Sequence, residues 1–428
     1  TGAIVYGTAT PDSGRIMFID LETGSDGAIY AVSTVDRQPG FLTADAYQST
    51  FQGAVDGLIM KFDPDSYRLT YAGLIGGPDA DYMSSIAVDG CGSVAVGGHS
   101  SGSSYPVVNA AQARSAGNLD LVFTRFSPDF RRIVYSTYLG GSYQEDAYGW
   151  GTGPYGWWGN RRLRFDPDGN LYFTAATSSV DFPMIRPMQA QPNGLNELVL
   201  GKFSPTGELL FTSYFGGSHH EYHASLDVDA CGNMIISGLT ASRDLPLLPA
   251  TADSGSGFLS VIDSRSSTLR YSAYLPYQWV YYNWGGANLV LDGTAVYFAH
   301  AVWRQATVPA TPGFPDGGGN DSSDVQVLRF DMPELCSRKV FQDKSTENGG
   351  LTATLLGTDT LRIDLDRMSH APPVIGVRCR VRNQSPVLPS DSVILTLRVP
   401  EYLQPAPGSP PLRQVLAPLG PGDSVDIA

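Results

Sequence analysis

VYSTYLGGS at residues 134–142 returns as LFTSYFGGS at residues 210–218, and this repeated phrase is the strongest indication of the fold. Weaker copies are LTYAGLIGG at 69–77 and RYSAYLP at 270–276, and a half-copy, IVYGTA, lies at 4–9. Repetition at such intervals is typical of an array of supersecondary units. The sequence therefore predicts one structural unit that is built several times over.

Each repeat divides into four short strands. The first is an alternating run that ends in Asp, as at 84–89 and 161–166, and a tight turn leads from it into the second strand. A loop rich in Pro, Gly and Ser precedes the third strand, as in DLVFTRFSP at 120–128, and the Tyr-rich phrase is the fourth strand. Glycine supplies the positive φ that a tight hairpin turn needs. The turn glycines are Gly27, Gly92, Gly169, Gly232 and Gly293.

Four antiparallel strands per repeat are typical of the blade of a β-propeller. Counted along residues 1–332, the repeats supply twenty strands, which make five complete blades. The array begins with a lone fourth strand at 4–9 and ends with a third strand at 324–332. We therefore expect the opening strand to complete the last blade, so that a five-bladed ring is left without an unpaired edge. The fold class is all-β.

Residues 333–428 lose the repeat and carry a second pattern. In GVRCRVR at 376–382 apolar side chains alternate with arginines, and about six strands fit into this part of the chain. This pattern predicts an immunoglobulin-like sandwich, a fold that contains about seven strands. Because the sequence ends at Ala428 just as a strand begins, we expect either a longer polypeptide or a partner that donates a strand.

Composition narrows the classes of partner. The chain has 42 acidic and 28 basic residues and a formal net charge of −14, which argues against nucleic acid and against anionic membranes. No apolar run reaches the roughly 18–20 residues of a membrane span. No recognised cofactor or nucleotide motif is present, so we expect no cofactor.

The four cysteines are too few for a disulfide scaffold. Cys91 and Cys231 occupy the same turn in non-adjacent repeats, and we interpret both as small turn residues. Cys336 and Cys379 both lie in the second domain, where a disulfide between them is a prediction.

The repeat units resemble the SBBP β-propeller repeat of bacterial surface proteins. The resemblance covers about residues 1–332 and rests on VYSTYLGGS, LDVDACGNMIISG at 226–238, TSSVDFP at 177–183, DAYQ at 45–48 and LGKFSP at 200–205. The CGN turn is similar to that of large Bacteroidota surface proteins exported by the type IX system, which often carry immunoglobulin-like modules. The resemblance implies display outside the cell and implies no particular chemistry.

Aromatic and histidine residues crowd into the segments that join successive blades. YGWGTGPYGWWGN at 148–160, SHHEYH at 218–223 and YQWVYYNWGG at 277–286 are all placed on one face. Trp and Tyr combine flat apolar area with a polar group and suit a sugar ring or a protein partner. The alternative is that these segments pack over one another and seal the blade ends. The candidate ligand-binding residues are Trp150, Tyr155, Trp157, Trp158, His219, His220, His223, Trp279 and Trp284.

The sequence offers little for metal binding or catalysis. His219, His220 and His223 lack a recognised ligand spacing, so we expect them to hydrogen-bond the loop rather than a metal ion. The recurrent acids Asp89 and Asp166, with Asp229 in the next repeat, end first strands, where turn capping explains them. We assign no catalytic residue.

Three sites in the second domain match a modification pattern. Thr360, Ser392 and Ser424 each follow Asp and precede an apolar residue. Asp-Ser/Thr-apolar resembles the O-glycosylation signal of Bacteroidota secreted proteins, although such pairs are also common at strand starts. Glycosylation at these three residues is a hypothesis.

We expect a non-enzymatic component of an extracellular surface or filament that binds a protein partner or its own copies. One alternative is a lectin that binds carbohydrate through the tryptophans. Another is a polysaccharide-degrading enzyme, which would need two carboxyl groups about 5–10 Å apart in a pocket.

Overall fold

The computed structural model contains only strands and loops among the residues it describes. Those residues are 16–145, 162–249, 255–275, 288–303, 323–332, 335, 337–342, 352–357, 361–369, 375–383, 393–398, 413–416 and 424–427. The chain divides into two compact units. The first comprises Thr1–Val228, Gly232–Val290 and Tyr297–Leu328, and the second comprises Asp229–Cys231, Leu291–Val296 and Arg329–Ala428.

Each repeat folds into one antiparallel sheet whose strands follow chain order. We refer to the first four sheets as blades 1 to 4. Blade 1 contains β1 (Ile16–Thr23), β2 (Ile29–Val35), β3 (Asp56–Phe62) and β4 (Leu69–Ile75). Blade 2 contains β5 (Asp81–Val88), β6 (Val94–Ser100), β7 (Asp120–Phe126) and β8 (Ile133–Leu139). Blade 3 contains β9 (Leu163–Phe165), β10 (Leu171–Thr177), β11 (Glu197–Phe203) and β12 (Leu209–Phe215). Blade 4 contains β13 (Glu221–Val228), β14 (Asn233–Thr240), β15 (Gly257–Asp263) and β16 (Thr268–Leu275).

A fifth repeat forms a three-stranded sheet of β17 (Asn288–Asp292), β18 (Ala295–Trp303) and β19 (Ser323–Asp331). The strand predicted to complete it, at 4–9, lies outside the described residues. The propeller-like sheets are therefore present, and the closed ring of five blades remains a prediction. The predicted turn glycines are confirmed. Each has positive φ, at +79° for Gly27, +86° for Gly92, +76° for Gly169, +83° for Gly232 and +63° for Gly293.

The core lies between neighbouring blades. One apolar cluster joins side chains of blades 1 and 2, a second joins blades 2 and 3, and a third joins blades 3 and 4. Because each middle blade packs on both faces, every residue of β7, β10 and β11 is buried. Phe173 contacts Phe123 of the preceding blade at a ring-centroid distance of 4.6 Å. Burying one such side chain contributes about 1.5–3 kcal/mol.

The Tyr-rich phrase has a structural reason. Tyr138 and Tyr214 accept, on their hydroxyl oxygens, the backbone N–H of Tyr105 (2.7 Å) and Phe182 (3.0 Å). Tyr274 does the same for Leu245 at 3.1 Å. In these blades a tyrosine of the fourth strand thus holds, by a hydrogen bond, the loop that joins the second and third strands.

The second domain contains seven described strands in two sheets. They are β20 (Ser337–Gln342), β21 (Thr352–Gly357), β22 (Leu361–Ser369), β23 (Ile375–Asn383), β24 (Val393–Arg398), β25 (Arg413–Leu416) and β26 (Ser424–Ile427). The sheet orders are β20-β21-β24-β25 and β22-β23-β26. An immunoglobulin constant domain pairs its first, second, fifth and fourth strands in one sheet and its third, sixth and seventh in the other. The number of strands agrees with that fold and the connectivity differs.

The expectation of a longer polypeptide or a donated strand stays a prediction. The sequence predicted about six strands in this part of the chain and missed β20. The C-terminal stretch pairs as β26 with β23, where Ser424 lies opposite Arg382. Thr360 and Ser392 lie outside the described residues, and glycosylation at all three hydroxyls remains a hypothesis.

The cysteine assignment is corrected. Cys231 is disulfide-bonded and Cys91 is free and exposed. The turn Asp229–Cys231 belongs to the same compact unit as residues 329–428, so a partner from that region is available to it. Cys336 and the side chain of Cys379 lie outside the described residues, and the disulfide between them stays a prediction.

Candidate functional site: the loop face and its buried carboxyl pairs

Two of the predicted binding residues, His219 and His220, lie at one end of blades 2 to 4. We call this end the loop face and define it by residues 140–145, 178–196 and 216–220. Tyr143 N–H donates to Ser179 Oγ (2.9 Å), and Leu195 N–H donates to the His219 carbonyl oxygen (3.0 Å), so these loops contact one another. Trp150, Tyr155, Trp157, Trp158, Trp279 and Trp284 lie outside the described residues. His223 lies on β13.

The segment with three tryptophans, predicted as a loop between blades, lies outside the described residues. Glu145 already pairs with Thr177 of β10, and Leu163 pairs with Phe173 of the same strand. The described chain on either side of residues 146–161 therefore pairs with the same strand, β10. Blades 2 and 4 have a register shift in their first strands, between Met83 and Ser85 and between Tyr222 and Ser225.

The described part of the loop face exposes large apolar side chains. Tyr143 is 60% exposed, Val180 is 59% exposed and Leu195 is 70% exposed. The neighbouring histidines bond to side chains, because His220 Nδ1 lies 2.6 Å from Asn196 Nδ2 and His219 Nδ1 lies 3.0 Å from Ser218 Oγ. Burial lowers the pKa of His220. No group of three or more metal-binding side chains occurs within the described ranges.

Beneath these loops, three pairs of buried carboxyl groups straddle successive blades. In each pair one acid begins the third strand of a blade, and the other pairs with the last residue of the second strand of the next blade. The pairs are Asp56 with Asp81, Asp120 with Glu145, and Glu197 with Glu221. All six residues are at most 1% exposed.

A glycine makes room for each pair. A Cβ built on Gly140 would stand 2.6 Å from Asp120 Oδ1 and 2.7 Å from Glu145 Oε2. On Gly216 it would overlap both Glu197 Oε2 and Glu221 Oε2. The two oxygens of a pair therefore approach the same small space, which only glycine leaves open. This explains the first glycine of the Gly-Gly in the repeated phrase, whereas a Cβ on the second, as at Gly141, would meet Asp181 and Ser179.

The pair between blades 2 and 3 holds the loop backbone. Asp120 accepts the N–H of Ala116 (2.5 Å) and of Gly117 (3.1 Å). Glu145 Oε1 accepts the hydroxyls of Ser179 (2.5 Å) and Thr177 (3.0 Å). Burial raises the pKa of Glu145 to about 7, and the charge of Asp120 adds to the rise.

The pair between blades 3 and 4 repeats this arrangement. Glu197 Oε1 accepts the N–H of Asn193 (2.7 Å) and Gly194 (2.6 Å), and Glu221 Oε1 accepts the Thr240 hydroxyl (2.8 Å). Burial raises the pKa of Glu197 to about 7 and raises that of Glu221. Burial likewise raises the pKa of Asp56 and of Asp81.

The first strands of neighbouring blades contact one another and carry a separate charged cluster. Arg164 binds Glu22 (2.8 Å) and Asp227 (3.4 Å), which belong to blades 1 and 4. Asp20 accepts the Ser85 hydroxyl (2.8 Å), and burial raises the pKa of Asp20. Since Arg164 binds both Glu22 and Asp227, this cluster has the character of an ion-pair network between blades.

The opposite end of the blades confirms that the recurrent acids cap turns. Asp89 Oδ1 accepts the N–H of Cys91, and Asp166 Oδ1 accepts that of Asp168. Asp229 Oδ1 does the same for Cys231. Asp89 also forms a buried ion pair of 2.5 Å with Arg125.

Our prediction missed the carboxyl pairs, although the sequence contains two patterns that indicate them. Every acid at a third-strand start follows Gly-x-x, as in Gly117 to Asp120, and every partner acid follows Gly-Gly-x-x-x, as in Gly141 to Glu145. The glycine of the first pattern lies where a Cβ would overlap a backbone carbonyl of the neighbouring loop. Aligning the repeats on their glycines would have found both acids.

Comparison with known proteins identifies no family. No family model matches the chain, and no curated protein matches it. Solved structures similar to it include a polysaccharide lyase, an ulvan lyase, with TM-score 0.35, 8% identity and coverage of 88% of this chain and 89% of that chain. A GH32 β-fructofuranosidase from Bombyx mori has TM-score 0.30, 10% identity and coverage of 97% and 90%. At these TM-scores and identities the similarities carry no argument about the activity of this chain. Among the described residues no helix has the length and apolar character needed to cross a bilayer.

Proposed function

We propose that this chain is a non-enzymatic, extracellular surface protein that binds a protein partner through the loop face. The observation that carries the proposal is the exposure of Tyr143, Val180 and Leu195 on loops that contact one another. Apolar and aromatic side chains of this kind form the centre of protein interfaces. Two of the three are aliphatic, which favours a protein over a sugar ring.

The carboxyl groups support the non-enzymatic part. Catalysis by paired carboxyls needs groups that a substrate can reach. The six paired acids are at most 1% exposed, and Glu22 and Asp227 are bound to Arg164.

The first partner to test is a second copy of the chain. Sedimentation velocity over a concentration series should show association of the wild-type protein. The double substitution Tyr143→Ser, Leu195→Ser should weaken it by about 30-fold or more, the effect of losing a central interface residue. Val107→Ser is the matched control, because Val107 is also exposed but lies beside the bridge from Val108 to Ser136 at the outer strand of blade 2.

A glycan array tests the alternative function, a lectin. Glycan binding by the wild type that disappears in the double variant, without self-association, would favour a lectin. Absence of both would refute binding through this face.

A further inference from the structure

Within the described part of the chain, three buried carboxyl pairs have no basic partner. None of their six residues takes part in an ion pair among the described residues. Two ionised carboxylates in one buried space would repel each other and lose their hydration, a combination that proteins avoid. Something must therefore neutralise at least one charge of each pair.

The hydrogen bonds show where a neutralising atom is needed. Glu145 Oε2 and Glu221 Oε2 are buried and receive no hydrogen bond, although Oε1 of both residues accepts a hydroxyl. Glu145 Oε2 and Asp120 Oδ1 both border the space beside Gly140. Glu221 Oε2 and Glu197 Oε2 both meet the space beside Gly216. An oxygen without a donor that faces another carboxylate becomes satisfied when it carries a proton, because a protonated carboxyl donates one hydrogen bond.

We propose that each of these two pairs shares one proton taken from solvent, so that a carboxyl–carboxylate hydrogen bond joins blade 2 to blade 3 and blade 3 to blade 4. The proton lies between Glu145 Oε2 and Asp120 in the first pair, and between Glu221 Oε2 and Glu197 Oε2 in the second. Each pair then carries a single negative charge. Loss of the proton breaks the bond and leaves two facing anions beneath the loop face.

The surrounding charges favour the shared proton. The groups around the first pair are Asp181, which receives the Ser142 N–H, and Tyr214, which bonds the Ser179 carbonyl oxygen. Around the second pair they are Asp244, Tyr214 and Tyr274, together with His219 and His220. The neighbouring carboxylates, Asp181 and Asp244, are negatively charged and disfavour a second negative charge in either pair. Burial raises the pKa of Glu145 and of Glu197 to about 7, so we expect each pair to lose its proton near neutral pH.

A divalent cation is the competing occupant. Calcium takes six to eight oxygen ligands, whereas each pair offers one oxygen that is free of a hydrogen-bond donor. No third acidic, His or Cys ligand stands with the pairs in the described part of the chain. The proton is the occupant that fits this geometry.

The test is the pH dependence of unfolding for the full chain. An acid with a raised folded pKa stabilises the protein fully below its unfolded pKa, near 4.5, and this stabilisation disappears as pH rises through about 7. Each shared proton should raise the unfolding constant about tenfold per pH unit between these values. We expect denaturant midpoints to fall between pH 5 and pH 8.

The decisive variants are Glu145→Gln and Glu221→Gln. The amide supplies a permanent N–H donor in place of the proton, so each variant should lose about a tenfold change per pH unit of the wild-type dependence. The control is Glu208→Gln, an exposed residue that should keep the wild-type dependence. Infrared spectra of the folded wild type at pH 6 should contain a protonated-carboxyl band that weakens in both variants, and this readout does not depend on variant stability.

Three results would overturn the proposal. The first is a wild-type midpoint that does not change from pH 5 to pH 8. The second is the absence of the infrared band. The third is stabilisation by calcium chloride at pH 8 that is lost in the glutamine variants, which would assign the pairs to a cation. None of these results bears on self-association through Tyr143 and Leu195.

Discussion

The two ends of blades 2 and 3 neutralise buried carboxylates in different ways. At the turn end, Asp89 binds Arg125 and Asp166 lies 3.4 Å from Lys202, so each acid has its own cation. At the loop face, Asp120 and Glu145 face each other without a cation. An ion pair is independent of pH over the neutral range, whereas a shared proton is not. Blades 2 and 3 therefore have ion pairs that persist at neutral pH at the turn end, and a carboxyl pair whose hydrogen bond depends on pH at the loop face.

The boundary after blade 4 shows what the pairs require. The third strand of blade 4 begins with Gly257, where the earlier blades have Asp or Glu, and the phrase continues with Pro276 in place of Gly-Gly. The acid and the double glycine are lost together. This agrees with the geometry, because the missing side chain of the glycine is the space that the carboxyls occupy.

The largest effect should come from breaking the ion pair at the turn end. Arg125→Met leaves Asp89 charged, buried and without its cation, which costs about 3–5 kcal/mol. Denaturant unfolding at pH 7 measures the change. Arg37→Met, which removes an exposed ion pair with Asp36, should cost no more than about 0.5 kcal/mol. Equal costs would contradict the role assigned to Arg125.

A side chain in the space beside Gly140 should destabilise the loop face. Gly140→Ala places a methyl group against Asp120 Oδ1 and Glu145 Oε2, and overpacking of this kind costs about 1–3 kcal/mol. Gly90→Ala is the matched control, because a Cβ at Gly90 would meet no atom within 4 Å. Thermal unfolding of both variants checks the prediction. A Gly140 variant as stable as the Gly90 variant would show that the carboxyls can move apart without cost.

The smallest effect should come from the tyrosine hydroxyl. Tyr138→Phe leaves the buried Tyr105 N–H without its acceptor, at a cost of about 1–2 kcal/mol. Tyr143→Phe, on the exposed loop face, should leave stability unchanged. Hydrogen exchange at the Tyr105 amide gives a local readout, and unchanged protection in the Tyr138 variant would remove the proposed role of the repeated tyrosine.

Local patterns predicted the strands well. Alternation and the turn glycines placed the strands of blades 1 to 4, because strand period and positive φ depend on neighbouring residues. No local signal shows that Glu145 already pairs with blade 3. Only its bridge to Thr177 of β10 shows this. The disulfide of Cys231 was missed for a similar reason, since its turn belongs to the compact unit of the second domain.

The repeating four-stranded unit and its turns could be predicted from the sequence, since strand period and turn conformation depend on residues close together in the chain. The acidic net charge follows from the composition alone. Which acids meet depends on the tertiary structure. Glu197 and Glu221 come from different blades, and their chemistry arises because a double glycine lets two carboxyl groups approach in a buried space. Burial and proximity shift a carboxyl pKa, and both are properties of the packed blades.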